Sequence, residues 1–146
     1  MLRKADRIAI VLVSLAVGLQ AIIPGWGLMA DGSVYGFKLP LDWLTPAWPF
    51  ADYFWAGFVL LVVVGIGGIL TAAVNVVDAR AGAVTALAMG LVLIGWIAGE
   101  LIFLSQTMVM TWIILASGFV LVALAAPYAL PAIGAAVRVD RSPQAT

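Results

Sequence analysis

The sequence contains no cysteine and no histidine among its 146 residues. Without cysteine the chain can form no disulfide and can offer neither thiol redox chemistry nor iron–sulfur ligation. Without histidine it lacks the usual ligand of haem and zinc and the base of a Ser-His or Cys-His nucleophile. Carboxylates, amides, hydroxyls and carbonyls remain for polar chemistry. We therefore expect no cofactor and no metal site, and a role other than that of an enzyme is favoured without being settled.

Charge is scarce as well, since charged residues make up 10% of the chain and seven basic residues balance seven acidic ones. No basic surface is available to attract nucleic acid, which we exclude as a partner. Hydrophobic residues make up 65% of the chain, and the mean hydropathy is +1.19. A soluble domain is about half apolar and a quarter charged. The composition indicates an integral membrane protein with a single transmembrane domain over 1–146.

Four long apolar runs are present, and about 20 such residues are needed to cross a hydrocarbon core of roughly 30 Å. Because lipid cannot satisfy backbone N–H and C=O groups, each run is predicted to be a helix. Short connections make the later helices antiparallel neighbours. The predicted fold is an all-α membrane protein, an antiparallel bundle of four transmembrane helices at about 8–26, 53–77, 83–105 and 109–130.

The basic residues give this bundle an orientation. Lys38 lies in the predicted outer loop, whereas the other six fall at the opposite end of the bundle: Arg3, Lys4, Arg7, Arg80, Arg138 and Arg141. Cytoplasmic segments carry the excess of Lys and Arg. We therefore predict a multi-pass protein of the cytoplasmic (inner) membrane with both termini in the cytoplasm. The first run is expected to be a retained helix, because Leu28 and Ala30 make a poor signal-peptide cleavage site.

The one long connection, residues 31–52, reads "DGSVYGFKLPLDWLTPAWPFAD". Its prolines and tryptophans are typical neither of a flexible linker nor of a disordered segment. We interpret it as an ordered lid, with Leu41, Trp43, Leu44 and Trp48 pointing inward. The lid either covers helix ends or gates a cavity, in which case the gate would comprise Trp43, Trp48, Asp52 and Tyr53.

Two helix caps are predicted in the same loop. Thr45 precedes Pro46, the order typical of an N-cap followed by a first helical proline. Asp52 lies where the second span begins, so its carboxylate can accept from free backbone N–H groups at a positive helix end.

The stretch "LPLDWLTPAWPFADYFWAGFVLLVVVGIGG" resembles a pattern in a family of small uncharacterised bacterial membrane proteins with four helices. In these proteins a loop ending in Pro-Phe-x-Asp-Tyr runs directly into a glycine-containing second span. The matching residues are Pro49, Phe50, Asp52, Tyr53 and Gly65. The resemblance implies the four-helix fold and carries no activity.

Small residues recur at the four-residue spacing that allows helix backbones to approach closely. Gly68 and Ala72 show this spacing in the second span, and Gly95 and Gly99 show it in the third. They are expected to hold the bundle together. Alternatively, some of them face outward and form the seam of a homo-oligomer or a contact with another membrane subunit.

Glu100 is the one carboxylate inside an apolar run. At 1.5 Å per residue it lies roughly 28 Å from the inner edge of its span, close to the outer boundary of the membrane. Trp96 shares its helical face, and Gln20 in the first span has a similar depth. These three residues form a candidate polar pocket. A shallow glutamate with a purely structural hydrogen bond is the alternative, because the cost of a charge falls near the interface.

The sequence supports three functions to different degrees. The first is a non-catalytic subunit or scaffold that acts through helix–helix contacts. The second is a small transporter, channel or lipid-binding protein with an outer-leaflet pocket around Glu100. The third, a lipid-modifying enzyme, is least favoured because Glu100 has no second carboxylate beside it. Membrane lipid is an expected partner in each case.

Overall fold

The computed structural model describes residues 2–140. Within them, four helices are long and apolar enough to cross a membrane. They are α1 (Lys4–Ala30), α2 (Phe54–Val77), α3 (Ala79–Phe103) and α4 (Val109–Asp140). The predicted all-α membrane fold with four helices is confirmed. Below, the end of the bundle that carries the long loop is called the outer end, and the opposite one the inner end.

The helices extend beyond the apolar runs from which they were predicted. α1 begins at Lys4 rather than near residue 8, and α4 continues to Asp140 rather than ending near residue 130. Hydropathy marks the part of a helix that lipid can surround, whereas the backbone hydrogen bonds continue into the polar flanks. Arg141, one of the six basic residues at the predicted inner end, lies outside the described residues.

The outer loop contains structure that the sequence analysis did not predict. Strands β1 (Ser33–Val34) and β2 (Phe37–Lys38) form an antiparallel hairpin. Its two central residues, Tyr35 and Gly36, have φ angles of 49° and 81°. Two positive φ angles are what a two-residue hairpin turn of the type matched to strand twist requires. A 3₁₀ turn follows at Leu41–Trp43.

Glycine brings the backbones of α1 and α2 into contact. A Cβ atom added to Gly68 would lie 2.8 Å from both Cα of Gly18 and the carbonyl oxygen of Ser14. Nearer the outer end, Gly57 faces the carbonyl oxygen of Gly25 in the same way. The pairing runs in opposite directions along the two helices, which makes them antiparallel. Close backbone approach of this kind drives helix association where lipid removes the hydrophobic effect.

A second seam joins α3 to α4. A Cβ atom on Gly90 would lie 2.8 Å from the carbonyl oxygen of Gly118. Leu93, Ile97 and Leu121 are fully buried. These side chains fill the middle of the bundle.

The middle of α2 departs from α-helical geometry, because Leu60–Ile66 forms a π-helical segment between α-helical Phe54–Val59 and Gly67–Val77. A π segment widens the helix and turns the residues that follow it relative to those that precede it. In this chain it begins at Leu60, a buried residue in the wall of the cavity described below.

Hydrogen bonds close the inner end. The guanidinium group of Arg7 donates to the carbonyl oxygens of Asn75 (2.8 Å) and Val76 (2.6 Å) at the C-terminal end of α2. The Asn75 side chain is buried and donates to the carbonyl oxygen of Gly82 on α3 (2.8 Å). Asp78 caps α3 by accepting from the backbone N–H groups of the second and third residues after it. Arg7 and Asn75 thus tie α1, α2 and α3 together.

Candidate ligand-binding site

A cavity of about 100 Å³ lies beneath the outer loop, between the outer ends of the helices, and is here called the outer cavity. Its walls are mainly apolar. The structure brings three predicted residues, Gln20, Trp96 and Glu100, into its lining. The other polar, aromatic or sulfur-containing residues that line it are Tyr35, Tyr53, Met108, Met110 and Thr111.

One of the two carboxylate oxygens of Glu100 has a hydrogen-bond partner within the described part of the chain. Its Oε1 atom accepts a hydrogen bond of 2.5 Å from the hydroxyl of Thr111, a buried residue on the first turn of α4. No donor to Oε2 is present among residues 2–140. An ionised carboxylate only accepts hydrogen bonds, and each oxygen accepts about two. The second oxygen therefore remains available to a ligand in the cavity.

No positive charge balances Glu100 from inside the cavity, because its lining contains neither lysine nor arginine among the described residues. The start of α4 lies beside Glu100, and the positive end of a helix dipole favours a nearby carboxylate. This partial charge is about half of an elementary charge. A donor or cation from outside the protein would complete the balance.

Gln20 supplies a second polar group to the cavity. Its Nε2 atom donates to the thioether sulfur of Met110 at 2.7 Å. Sulfur is a weak acceptor, and an amide has two donors and an acceptor oxygen. Gln20 is thus held in place by a weak bond that a ligand can replace.

Tyr53 anchors the end of the outer loop over the cavity. It is only 2% exposed, and its hydroxyl donates to the carbonyl oxygen of Pro40 at 2.7 Å. Burial, together with the negative charge of Asp42, raises the pKa of the Tyr53 phenol above its ordinary value. The phenol thus stays protonated well above neutral pH and keeps its donor.

The hairpin is anchored through a proline. Pro24 in α1 has no N–H, so the carbonyl oxygen of Gln20 one turn earlier loses its helical partner. The hydroxyl of Tyr35 at the hairpin tip donates to that oxygen at 3.0 Å. Tyr35 therefore replaces the hydrogen bond that Pro24 removes, and both residues line the cavity.

The middle of the outer loop is bound to the end of α3. Leu44 and Leu104 form an isolated antiparallel bridge. The backbone N–H of Thr45 donates to the carbonyl of Phe103, and its hydroxyl donates to that of Ile102. Carbonyls at a helix C-terminus have no partner in their own helix, so the loop satisfies them. Thr45 was predicted to cap a helix at Pro46, but its hydroxyl donates to the end of α3 instead.

The predicted gate residues occupy different places. Tyr53 lines the outer cavity, whereas the described lining does not include Trp43, Trp48 or Asp52. Trp43 packs against the ring of Phe37 in the hairpin. Asp52 accepts from the backbone N–H at the start of α2 (3.0 Å), in the manner of the predicted cap.

Leu41, predicted to point inward, is 60% exposed. Leu41 begins the 3₁₀ turn, and no residue of this short turn is buried. Trp43, Leu44 and Trp48 are half-buried.

The four predicted packing residues divide between two environments. Gly68 and Ala72 are buried, and Gly68 touches α1. A Cβ atom on Gly95 would meet nothing within 4 Å, and one on Gly99 would meet only the ring of Phe103, one turn away on the same helix. Gly95 and Gly99 therefore lie open on the side of the bundle.

These two glycines form the floor of a lateral groove of about 350 Å³ between α2 and α3. Ala56 and Val59 form its opposite wall, and the rings of Trp48, Phe50, Trp55 and Phe103 surround it. Trp48 packs edge-on against Phe103 at 5.2 Å between ring centroids. The groove and the outer cavity share four lining residues: Ala56, Trp96, Glu100 and Leu104.

Thr111, Tyr35 and Met110 are cavity residues that sequence reasoning missed. A threonine at the start of an apolar run has no distinguishing pattern, and Tyr35 lies in a hairpin that was not predicted. Pro24 is the signal that could have been used. Because it has no N–H, the backbone carbonyl of Gln20 needs a donor from outside the helix.

Within residues 2–140, no group of three carboxylates comes together as a metal site would require. The resemblance to small bacterial membrane proteins stays a prediction. Comparison with models of protein families, with curated proteins and with solved structures finds no match to this chain.

Proposed function

We propose that this chain is a multi-pass protein of the cytoplasmic membrane that binds a small ligand in the outer cavity. Glu100 accepts hydrogen bonds from an ammonium or hydroxyl group of the ligand, Gln20 contributes a second polar contact and Trp96 an aromatic wall. The single observation that carries this proposal is a carboxylate with one free oxygen in the lining of a partly enclosed, mostly apolar cavity. Sites for small molecules combine apolar walls with a few placed polar groups in this way.

A binding role is favoured over an open channel. Below the outer cavity, Leu93, Ile97, Leu121 and Val64 are each fully buried. Buried apolar side chains in the middle of the bundle do not favour a water column through it. The cavity is thus a pocket closed toward the inner end.

The orientation is part of the proposal. The described basic residues other than Lys38 are Arg3, Lys4, Arg7, Arg80 and Arg138, all near the inner end. An excess of Lys and Arg favours the cytoplasmic side. Both termini would then be cytoplasmic, and the cavity would receive ligand from the outer side of the membrane or from its outer leaflet.

The test is equilibrium binding of propylamine, a probe with one ammonium group and about four heavy atoms. A cavity of roughly 150 Å³ holds benzene, so this smaller probe suits the outer cavity. The protein is held in lipid nanodiscs, and empty nanodiscs give the background. We expect Glu100→Gln to weaken binding about tenfold or more, because an amide replaces a charged acceptor. The melting temperature should change little, since the Gln carbonyl can still accept from Thr111.

Asp42→Asn is the matched control. Asp42 is exposed in the outer loop, so this variant removes one negative charge from the same end of the molecule without touching the cavity. It should bind propylamine as the unaltered protein does. Equal affinity of Glu100→Gln and the unaltered protein would contradict the proposal. So would a loss of affinity in Asp42→Asn as large as the loss in Glu100→Gln.

A non-catalytic subunit or scaffold is the second candidate. The open Gly95 and Gly99 favour it, since small residues on a helix face can receive another helix. Native mass spectrometry of protein released gently from its own membrane distinguishes the two. A second polypeptide at fixed stoichiometry would support the subunit, and a single chain species that retains a small molecule would support the binding protein.

A further inference from the structure

The lateral groove and the outer cavity meet at Glu100 and Trp96. Both residues line both spaces, together with Ala56 and Leu104. The groove is almost wholly apolar and lies on the side of the bundle, whereas the cavity has Gln20 and Thr111 in its lining in addition to Glu100. A molecule with one polar end and one apolar end can therefore place its polar end in the cavity and its apolar end in the groove.

The groove has the form expected for an aliphatic chain. Gly95 and Gly99 leave its floor without side chains, and no residue of the described chain covers Gly95. The other glycine seams are closed, because Gly68 faces Gly18 and Gly90 faces Gly118 at contact distance. The groove belongs to the membrane-crossing part of α2 and α3. Acyl chains surround such a surface in a bilayer, so an aliphatic occupant needs no transfer through water.

The route from the side is less obstructed than the route from above. Above the cavity the outer loop is held by hydrogen bonds from Tyr53 to Pro40, from Tyr35 to Gln20 and from Thr45 to Phe103. Breaking several of these together costs more than rotating a side chain. At the side, Trp96 and Leu104 are side chains without a described hydrogen bond across the opening, and rotamer changes are among the fastest protein motions.

We infer that the ligand is a single-chain amphiphile that enters from the membrane, with its aliphatic tail in the lateral groove and its hydrogen-bond-donating head beside Glu100. This inference rests on the proposed function. The carboxylate accepts from an ammonium or hydroxyl head, whereas it repels a carboxylate head. The cavity, at about 100 Å³, holds only the head, and the groove, at about 350 Å³, holds the first part of the tail.

Three probes with the same chain test the head: dodecylamine, dodecanol and dodecanoate. Binding is measured with radiolabelled probe on the full chain in nanodiscs, after subtraction of empty nanodiscs. Saturable binding of the amine or the alcohol, with dodecanoate about tenfold weaker or more, is the expected result. Equal binding of all three probes would overturn the inference, because Glu100 would then not contact the head group.

Gly95→Leu tests the tail. The new side chain fills the groove, so binding of dodecylamine should weaken about tenfold, whereas propylamine, which has no tail, should bind as before. Gly134→Leu is the matched control, because a Cβ at Gly134 also meets nothing within 4 Å but lies near the inner end. If Gly95→Leu leaves dodecylamine binding unchanged while propylamine still requires Glu100, the inference fails and the proposed function stands. If neither probe requires Glu100, both fail.

A disulfide across the outer loop tests the route. Trp43 and Ser105 lie opposite each other beside the bridge of Leu44 with Leu104, and the backbone N–H of Ser105 donates to the carbonyl of Trp43. Such a pair has Cα atoms about 5.5 Å apart, which suits a disulfide, and neither residue lines the cavity or the groove. Because the chain has no cysteine, the double variant Trp43→Cys with Ser105→Cys can form only this bond within the chain. Association of dodecylamine should be equally fast in the oxidised and reduced variant. A tenfold slower association after oxidation would overturn the lateral route.

A second copy of the chain is the competing occupant of the groove. Cross-linking of Gly95→Cys to its own copy in native membranes, at high yield and with Gly134→Cys not cross-linked, would overturn the inference. Retention of a single-chain lipid by the monomer, lost in Gly95→Leu, would support it.

Discussion

The two ends of the bundle use polar groups for opposite purposes. At the inner end, Arg7 and Asn75 spend their donors on backbone carbonyls and join three helices. At the outer end, the unused acceptors of Glu100 and Gln20 lie in the lining of a cavity, whereas the unpartnered side-chain oxygen of Asn75 at the inner end is buried. Polar groups inside a membrane are costly unless they are paired or functional. Thus the polar groups of the inner end hold three helices together, and those of the outer end are the basis of the proposed binding function.

The glycines of α2 and α3 show a second contrast, between a closed helix contact and an open surface. The sequence spacing of Gly68 with Ala72 equals that of Gly95 with Gly99, yet Gly68 is buried against α1 and Gly95 lies open. Spacing shows that two backbones could approach, but it does not show whether a partner is present. The same pattern therefore holds the bundle together in α2 and forms a groove in α3.

The largest expected effect is that of Gly68→Leu. Its side chain would have to displace the α1 backbone at Gly18 and Ser14, and overpacking of this kind costs about 3 kcal/mol. We expect loss of the folded monomer or a large drop in melting temperature in detergent. Gly95→Leu should melt close to the unaltered protein. Equal melting temperatures for the two variants would contradict the contrast between a closed seam and an open groove.

Arg7→Ala should have an intermediate effect. The substitution removes two charged hydrogen bonds from the last carbonyls of α2 and a positive charge from a helix C-terminus. Because Arg7 is partly exposed, we expect a cost of about 1–2 kcal/mol, measured by unfolding in mixed micelles. Lys4→Ala, at an exposed position three residues earlier, serves as the control. Propylamine binding should be unchanged at temperatures where Arg7→Ala is folded.

Tyr35→Phe should have the smallest effect on stability, about 1 kcal/mol or less, because one exposed hydrogen bond is lost. Its effect should be local, with faster hydrogen exchange in the hairpin and unchanged exchange at the inner end. Uniformly faster exchange would show that the hairpin supports the whole bundle, and would weaken the distinction between its ends.

Sequence reasoning reached the four helices because long apolar runs have few solutions in lipid. It also gave Glu100 and Gln20 a similar depth, since a fixed rise per residue converts position into height. It could not supply Thr111 as the partner of Glu100, because that contact depends on the rotation of α3 and α4 about their axes. The hairpin was missed since its strands are only two residues long.

Pro24 has a consequence for the geometry of the pocket. In a regular helix every interior carbonyl already accepts a hydrogen bond from the N–H four residues later. A hydroxyl from another segment therefore has no preferred position along the helix axis. Pro24 frees one carbonyl, that of Gln20, and Tyr35 bonds there. The position of a single proline in the sequence thus sets the register between the hairpin and α1, and with it the ceiling height of the space above Glu100. Moving that proline by one turn would therefore change the height of the pocket as well as its wall, because Pro24 itself lines the cavity.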